Sequence, residues 1–281
     1  MVRAVTYSLL AFSLLCSCNS PVRDIERYQL HGNVQSIEVY EACDTTSLKD
    51  APATWQSAYF DTKGMLDSLI KKSPYDTLRH IYVYDENDLL KEIQVLHTNN
   101  KYEALYEYEY DGNVVSTYKV RGVDMQVIYR WDYDIKDGKA IRSRGYNEGV
   151  LINKSDFTYN GLDKTETLYS SDGELLSEMT YRFLDRFRIS SIEGDDFELK
   201  IEYDEDGLPI KSINAVIGPD GEIYSTNYSH VYGTILYEYT MDERGNWIER
   251  RELLGETKVN GNTIKRKIIY KIGRASCRER V

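Results

Sequence analysis

The stretch "IYVYDENDLLKEI", Ile81 to Ile93, states the folding rule of this chain in miniature. Tyr82 and Tyr84 fall on one side of an extended backbone and Ile81 and Val83 on the other, a period of two that a helix does not produce. The polar run Asp85-Glu86-Asn87-Asp88 interrupts the alternation, and a second apolar run follows from Leu89. Two extended runs joined by a short polar link make a β-hairpin. The acidic link has a rival reading as a cation site, as does Asp204-Glu205-Asp206-Gly207. A calcium loop of the EF-hand type, however, spreads its ligands over about twelve residues, ends in a bidentate Glu and sits between helices. Neither run has those surroundings, so Asp85 is assigned to chain reversal.

The same phrase recurs in "SAYFDTKGMLDSL" (Ser57 to Leu69), "YEYEYDGNVVSTY" (Tyr106 to Tyr118), "KIEYDEDGLPIKSI" (Lys200 to Ile213) and "YEYTMDERGNWIER" (Tyr237 to Arg250). Looser copies are "YRWDYDIKDGKAIRS" (Tyr129 to Ser143) and "SDFTYNGLDKTETL" (Ser155 to Leu168). With Asp61, Asp85, Asp111, Asp134 and Asn160 taken as equivalent, the spacings are 24, 26, 23 and 26 residues. A period of this size marks a repeat architecture, and it holds two strands of about five to seven residues with two tight connections. The turn chemistry agrees. Asp111-Gly112-Asn113, Asp137-Gly138, Asp172-Gly173 and Asn260-Gly261-Asn262 join a side chain that caps the bend to a glycine that takes positive φ. The expected fold is all-β: an antiparallel meander of repeated β-hairpins, about 16 strands, forming a twisted, curved or spiralling sheet. The pattern leaves closure of that sheet open.

Composition supports this. Of 281 residues, 41% are hydrophobic and 29% charged, ordinary proportions for a globular protein, but 25 tyrosines stand against 6 phenylalanines and 5 prolines. Tyrosine suits a pleated, half-buried surface where the ring packs and the hydroxyl reaches water. A formal net charge of -11 argues against a nucleic-acid partner, since phosphates require clustered Lys and Arg.

The two ends read differently from the middle. Arg3 precedes the apolar stretch Val5 to Leu15, whose 11 residues fall well short of the roughly 20 that a transmembrane helix needs. Leu15-Cys16-Ser17-Cys18 then resembles a bacterial lipobox with Cys18 as the lipid-attachment residue. Cys16 does not fit, because Leu15 would occupy the small-residue position before it. Residues 1–17 are therefore expected to be a lipoprotein signal peptide and 18–29 a short tether, with more than one acyl chain holding Cys18 at the membrane. Cys43 is then left without a disulfide partner, Cys277 lying in the tail. That tail, residues 272–281, "IGRASCRERV", reads as the translation of a sequencing adapter, and the β domain is expected over 30–271.

The phrase Y-x-Y-D-x-x-G-x-L is similar to the YD repeat of the Rhs family, over about Leu30 to Tyr270. The lead-in "LHGNVQSIEVY" and the closing "GNWIER" and "IKRKIIY" resemble the ends of such arrays. The resemblance implies a repeat-built β structure in a short lipoprotein of the Gram-negative envelope. Large Rhs proteins enclose a C-terminal toxin; this chain shows no such extension, so encapsulation is not carried over.

Signs of catalysis are sparse. His31, His80, His97 and His230 occupy unrelated contexts without metal-ligand spacing, and there is no G-x-S-x-G elbow, phosphate loop or paired C-x-x-C. Asp195 and Asp196 would suit a glycosidase only with their carboxyls about 5–9 Å apart, and adjacency among 46 acids is uninformative. No catalytic residue, metal or cofactor is expected. The aromatic residues are better candidates. Trp131 replaces a repeat tyrosine in "YRWDYD" and Trp247 follows the turn "RGN". On an open face they would stack on sugar rings or anchor a protein partner; covered, they would fill gaps between hairpins. Thr45, Ser68 and Thr77 each follow an Asp in phrases that resemble a periplasmic O-glycosylation sequon.

The leading functional expectation is a non-enzymatic envelope lipoprotein, anchored to the membrane through Cys18, that presents a β-sheet surface to a glycan or protein. A structural spacer or assembly component without a specific ligand is the alternative, and a carbohydrate-active hydrolase using an acid pair ranks last. The expected location is the cell envelope, as an outer membrane lipoprotein, with periplasmic and surface-facing placements both open.

Overall fold

The computed structural model describes residues 23–43, 55–73, 76–195, 197–217, 223–224, 233–255 and 259–271. A four-residue helix, α1 (Asp24–Arg27), precedes nineteen strands. The first six are β1 (Val34–Cys43), β2 (Trp55–Phe60), β3 (Leu66–Lys72), β4 (Thr77–Tyr84), β5 (Leu90–His97) and β6 (Tyr102–Asp111). Next come β7 (Val114–Arg121), β8 (Val127–Lys136), β9 (Lys139–Asn147), β10 (Val150–Asn160), β11 (Asp163–Ser170) and β12 (Leu175–Phe183). The last seven are β13 (Ile189–Gly194), β14 (Phe197–Tyr203), β15 (Pro209–Ile217), β16 (Ile223–Tyr224), β17 (Gly233–Met241), β18 (Trp247–Leu254) and β19 (Val259–Tyr270).

Neighbouring strands pair antiparallel in chain order, with one exception. The two-residue β16 pairs with Val216 and Ile217 at the end of β15, while β15 continues to β17 through Lys211–Asn214. Ile37 in β1 pairs with Ala58 in β2 on one side and with Ile268 in β19 on the other. The wall therefore closes on itself as an eighteen-strand barrel. The all-β expectation holds, and closure is more specific than a twisted or spiralling sheet. It removes both edges, each of which would leave a row of unpaired N–H and C=O groups. The strand number exceeds 16 because hairpins such as β12 and β13 have sequences too far from the phrase to be recognised as copies.

The acidic links are turns. Asp85 Oδ1 accepts the backbone N–H groups of Asn87 (2.8 Å) and Leu89 (2.9 Å), which leaves that oxygen committed to its own chain. Asp61 does the same with Lys63 and Met65, and Asp242 with Arg244 and Asn246. The fourth residue of these bends has positive φ, taken by Gly64 (+84°) in one and by Asp88 (+62°) in another. Asp134 is a correction to the repeat alignment. It lies within β8, where its carboxylate receives Arg144 at 2.6 Å, and the bend falls at Asp137-Gly138 instead. The looser copy offers two acids close to the turn, Asp134 and Asp137, and the second is the one at the bend.

Cross-strand partners share a face, so the register can be followed round the wall. One face carries Tyr82, Tyr106, Tyr118, Trp131, Phe157, Tyr181 and Tyr237. The other carries ion pairs: Arg121 with Glu107 (2.6 Å), Arg142 with Asp156 (2.8 Å), Arg182 with Glu193 (3.1 Å) and Lys211 with Glu202 (2.8 Å). The α1 segment identifies the inside. Its Asp24 accepts Leu66 N–H at the start of β3 (2.9 Å), Glu26 meets Arg186 in the β12–β13 turn (3.2 Å), and the Gln29 amide donates to the Gly207 carbonyl in the β14–β15 turn (2.7 Å). A segment this short reaches such distant parts of the wall only by crossing the barrel mouth. Ile25, Tyr28 and Leu30 also pack on Ile37, Phe60, Leu66 and Leu69, which share the aromatic face. That face is therefore internal. The charged face is external, the reverse of a bilayer-spanning barrel, whose outer surface is an apolar band.

Candidate functional site

The aromatic-x-aromatic phrases of β6 and β8 meet Tyr118 of β7 inside the barrel. In register, Tyr108 lies opposite Tyr118, and Tyr118 opposite Trp131. Their rings form a continuous track, measured between centroids: Tyr106 to Tyr118 at 6.2 Å, Tyr108 to Tyr118 at 5.1 Å, Tyr118 to Trp131 at 5.3 Å, and Tyr129 to the same indole at 5.8 Å. The indole of Trp131 closes the track, and Tyr129 at its end is 38% exposed. Such ring pairs contribute about 0.5–1.5 kcal/mol each beyond their burial. Gly145 in β9 lies opposite Trp131 and makes room for it: a Cβ there would stand 2.9 Å from the indole Nε1 and 2.3 Å from Asn153 Oδ1. Burial raises the hydroxyl pKa of Tyr108, Tyr118 and Tyr133, and burial, then the nearby Asp85 carboxylate, pushes Tyr110 up to about 12. These hydroxyls are therefore neutral donors and acceptors rather than bases.

A second luminal group lies on β17, β18 and β19. Arg266 places its guanidinium 3.3 Å from the centre of the Trp247 ring, and Arg250 approaches the same ring at 5.9 Å and that of Tyr237 at 5.3 Å. Arg250 pairs with Glu252 at 2.9 Å. Arg266 has only a long hydrogen bond to the Tyr28 carbonyl (3.4 Å) among the described residues, and the Nε atoms of both arginines are buried without a partner. Burial, then repulsion from Arg250, lowers the Arg266 pKa to about 9. On β11, Lys164 sits over the Tyr181 ring at 4.3 Å, and Glu166 accepts the Ser155 hydroxyl at 2.8 Å. Burial raises the Glu166 pKa against the opposing pull of Lys164.

The structure separates the two tryptophans chosen from sequence. Trp131 belongs to the partly exposed track, whereas Trp247 is 6% exposed beneath Arg266 and fills the wall. Ser68 is 5% exposed on the outer face and its hydroxyl reaches Asp67, while Thr77 is half-buried at the start of β4. Cys18 and Thr45 lie outside the described residues. Among the described residues no cluster of three or more His, Cys, Asp or Glu side chains could hold a metal, and no helix is long and apolar enough to cross a membrane. Arg250 and Arg266 were missed from sequence. Arg250 shares a phrase with Trp247, but Arg266 comes from another strand, and only the β18–β19 register brings it alongside.

No protein-family model matches the chain, and no curated protein matches it. Among solved structures it is similar to a porin-like protein from Bacteroides uniformis, at 10% identity over 84% of this chain and 96% of that one, with a TM-score of 0.41. A porin-like protein from Bacteroides vulgatus gives 12% identity, 85% and 99% coverage and a TM-score of 0.39. The TcdB2-TccC3-TEV structure gives 13% identity over 74% of this chain and 14% of that chain, with a TM-score of 0.25.

Proposed function

We propose that this chain is a non-enzymatic envelope lipoprotein of YD-repeat-like build that binds a glycan against the aromatic inner wall of its barrel. The observation that carries this reading is the run of rings from Tyr106 through Tyr118 to Trp131 and Tyr129, held in register by three strands and facing the lumen. Flat rings with hydroxyls at their edges offer a sugar both a stacking surface and hydrogen bonds. The wall holds them in place before a ligand arrives, which lowers the ordering cost of binding.

The outer face supports a barrel surrounded by water and held to the membrane only through Cys18. Arg23 lies beside Gly64 in the β2–β3 turn, at the mouth crossed by α1. Five peptide steps separate it from Cys18, a reach of at most roughly 18 Å. Lipidation of Cys18 would therefore turn the plugged mouth toward the bilayer and the opposite mouth away from it.

A glycan array probed with the full chain and with Trp131→Ala tests the reading. The expected result is retention of a defined set of glycans by the native chain and its loss in the variant, with the β-sheet circular dichroism unchanged. Equal retention by both proteins, or none by either, overturns it.

A further inference from the structure

We infer that Arg250 and Arg266 form a luminal site for the carboxylate of an acidic saccharide. This rests on the glycan reading above and names the class of sugar. Two guanidinium groups flank one indole, at 3.3 and 5.9 Å from its centre, and Glu252 pairs with Arg250 alone, at 2.9 Å. Among the described residues no carboxylate lies within ion-pair distance of Arg266. A buried cation without a counter-charge is costly unless something in use supplies one. Stacking on Trp247 offsets part of that cost and fixes the plane of the fork, but leaves its in-plane N–H groups to be satisfied. The Nε atoms of both arginines are buried without a partner, so the wall itself leaves that cost unmet, while the Arg250 side chain keeps 25% of its surface open to a ligand.

Charge selects the anion. Two guanidinium groups and one carboxylate leave a single positive charge, which a monoanionic carboxylate balances and a dianionic phosphate exceeds. Geometry places the sugar. Tyr237 and Tyr239 flank the arginines on the same inner face, with Tyr237 joined to Ser212 at 2.9 Å and Tyr239 to the Pro209 carbonyl at 2.8 Å, so both rings are held rigidly beside the fork. The partner groups from the neighbouring elements are Glu252 on β18, the Tyr239 hydroxyl on β17, which accepts from Arg250, and the Tyr28 carbonyl after α1, and none neutralises Arg266.

The test is a titration of the full chain with glucuronate, glucose, glucose 6-phosphate and acetate, followed by tryptophan emission and calorimetry. Glucuronate is expected to bind about tenfold more tightly than glucose, the increment of one charge-assisted contact. Arg266→Lys should erase most of that preference, since an ammonium cannot offer the fork. Glu252→Gln, which leaves packing nearly unchanged, should increase it several-fold. Equal binding of glucuronate and glucose, both dependent on Trp131, overturns the acidic site and leaves the glycan reading standing. Acetate matching glucuronate overturns the saccharide, and a tighter glucose 6-phosphate overturns the carboxylate. No binding of either sugar overturns both readings.

Discussion

Asn246 pairs its side-chain amide with the main chain of His31, 215 residues away in sequence. Its Oδ1 accepts the His31 N–H at 2.6 Å and its Nδ2 donates to the His31 carbonyl at 3.0 Å, as a strand neighbour would. Asn246 is 0% exposed, and its Nδ2 also reaches the Tyr270 hydroxyl at 2.7 Å. One amide thus fastens the segment after α1 to the β17–β18 turn and to the end of β19. Asn246→Ala leaves the part-buried N–H and C=O of His31 without this partner, an expected loss of about 1–3 kcal/mol. Chemical denaturation is the measurement, and a loss within roughly 0.5 kcal/mol, the scatter of ordinary surface substitutions, would show that the fastening is not energetic.

Asp85 serves its own turn. Asp85→Ala removes an acceptor from the Asn87 and Leu89 N–H groups and is expected to cost about 1 kcal/mol. Millimolar calcium should leave the melting temperature of the native chain unchanged. A calcium-dependent rise that this variant abolishes would reinstate the ligand-site reading of the acidic run.

Gly145 leaves the space that Trp131 occupies. Gly145→Ala places a methyl group 2.9 Å from Nε1 and 2.3 Å from Asn153 Oδ1, so the indole or the amide must move. An overpacking cost of about 1–3 kcal/mol is expected, with a shift in tryptophan emission and weakened glycan retention. Unchanged emission and retention would mean that the track does not depend on this contact.

The two histidines of the β4–β5 hairpin respond to pH in opposite senses. Burial, then the charge of Lys71, lowers the His80 pKa from 6.5 to about 4. Between those values the unfolded chain takes up a proton that the folded chain refuses, so this contribution to stability falls as pH drops from 6.5 toward 4. His97, bonded first to Glu103 and then to Asp76, has its pKa raised; its contribution is complete below the ordinary value and fades as pH rises through the folded one. His80→Gln should flatten the acid limb of the stability profile and His97→Gln the neutral limb. Identical profiles for both variants would refute the assignment.

The hairpins were legible because their causes are local. Alternation in Ile81 to Tyr84, the bend at Asp85 and the positive φ of Gly64 depend on residues a few positions apart, and the same signals mark the aromatic face. Asp134 shows where local reading slips: with two acids near one bend, only the observed hydrogen bonds identify which one turns the chain.

Period-two patterning and turn chemistry were enough to establish antiparallel hairpins whose tyrosines share one side. They were silent on which side is inside, because a half-buried tyrosine face suits an open sheet and a barrel wall equally well. That was settled by contacts between distant positions: Ile37 with Ile268 closing the wall, Glu26 with Arg186 across the mouth, and Arg250 with Arg266 beside one indole. Such pairings arise only when the whole ring of strands comes into register, a condition spread over the entire chain and written in no single stretch of it.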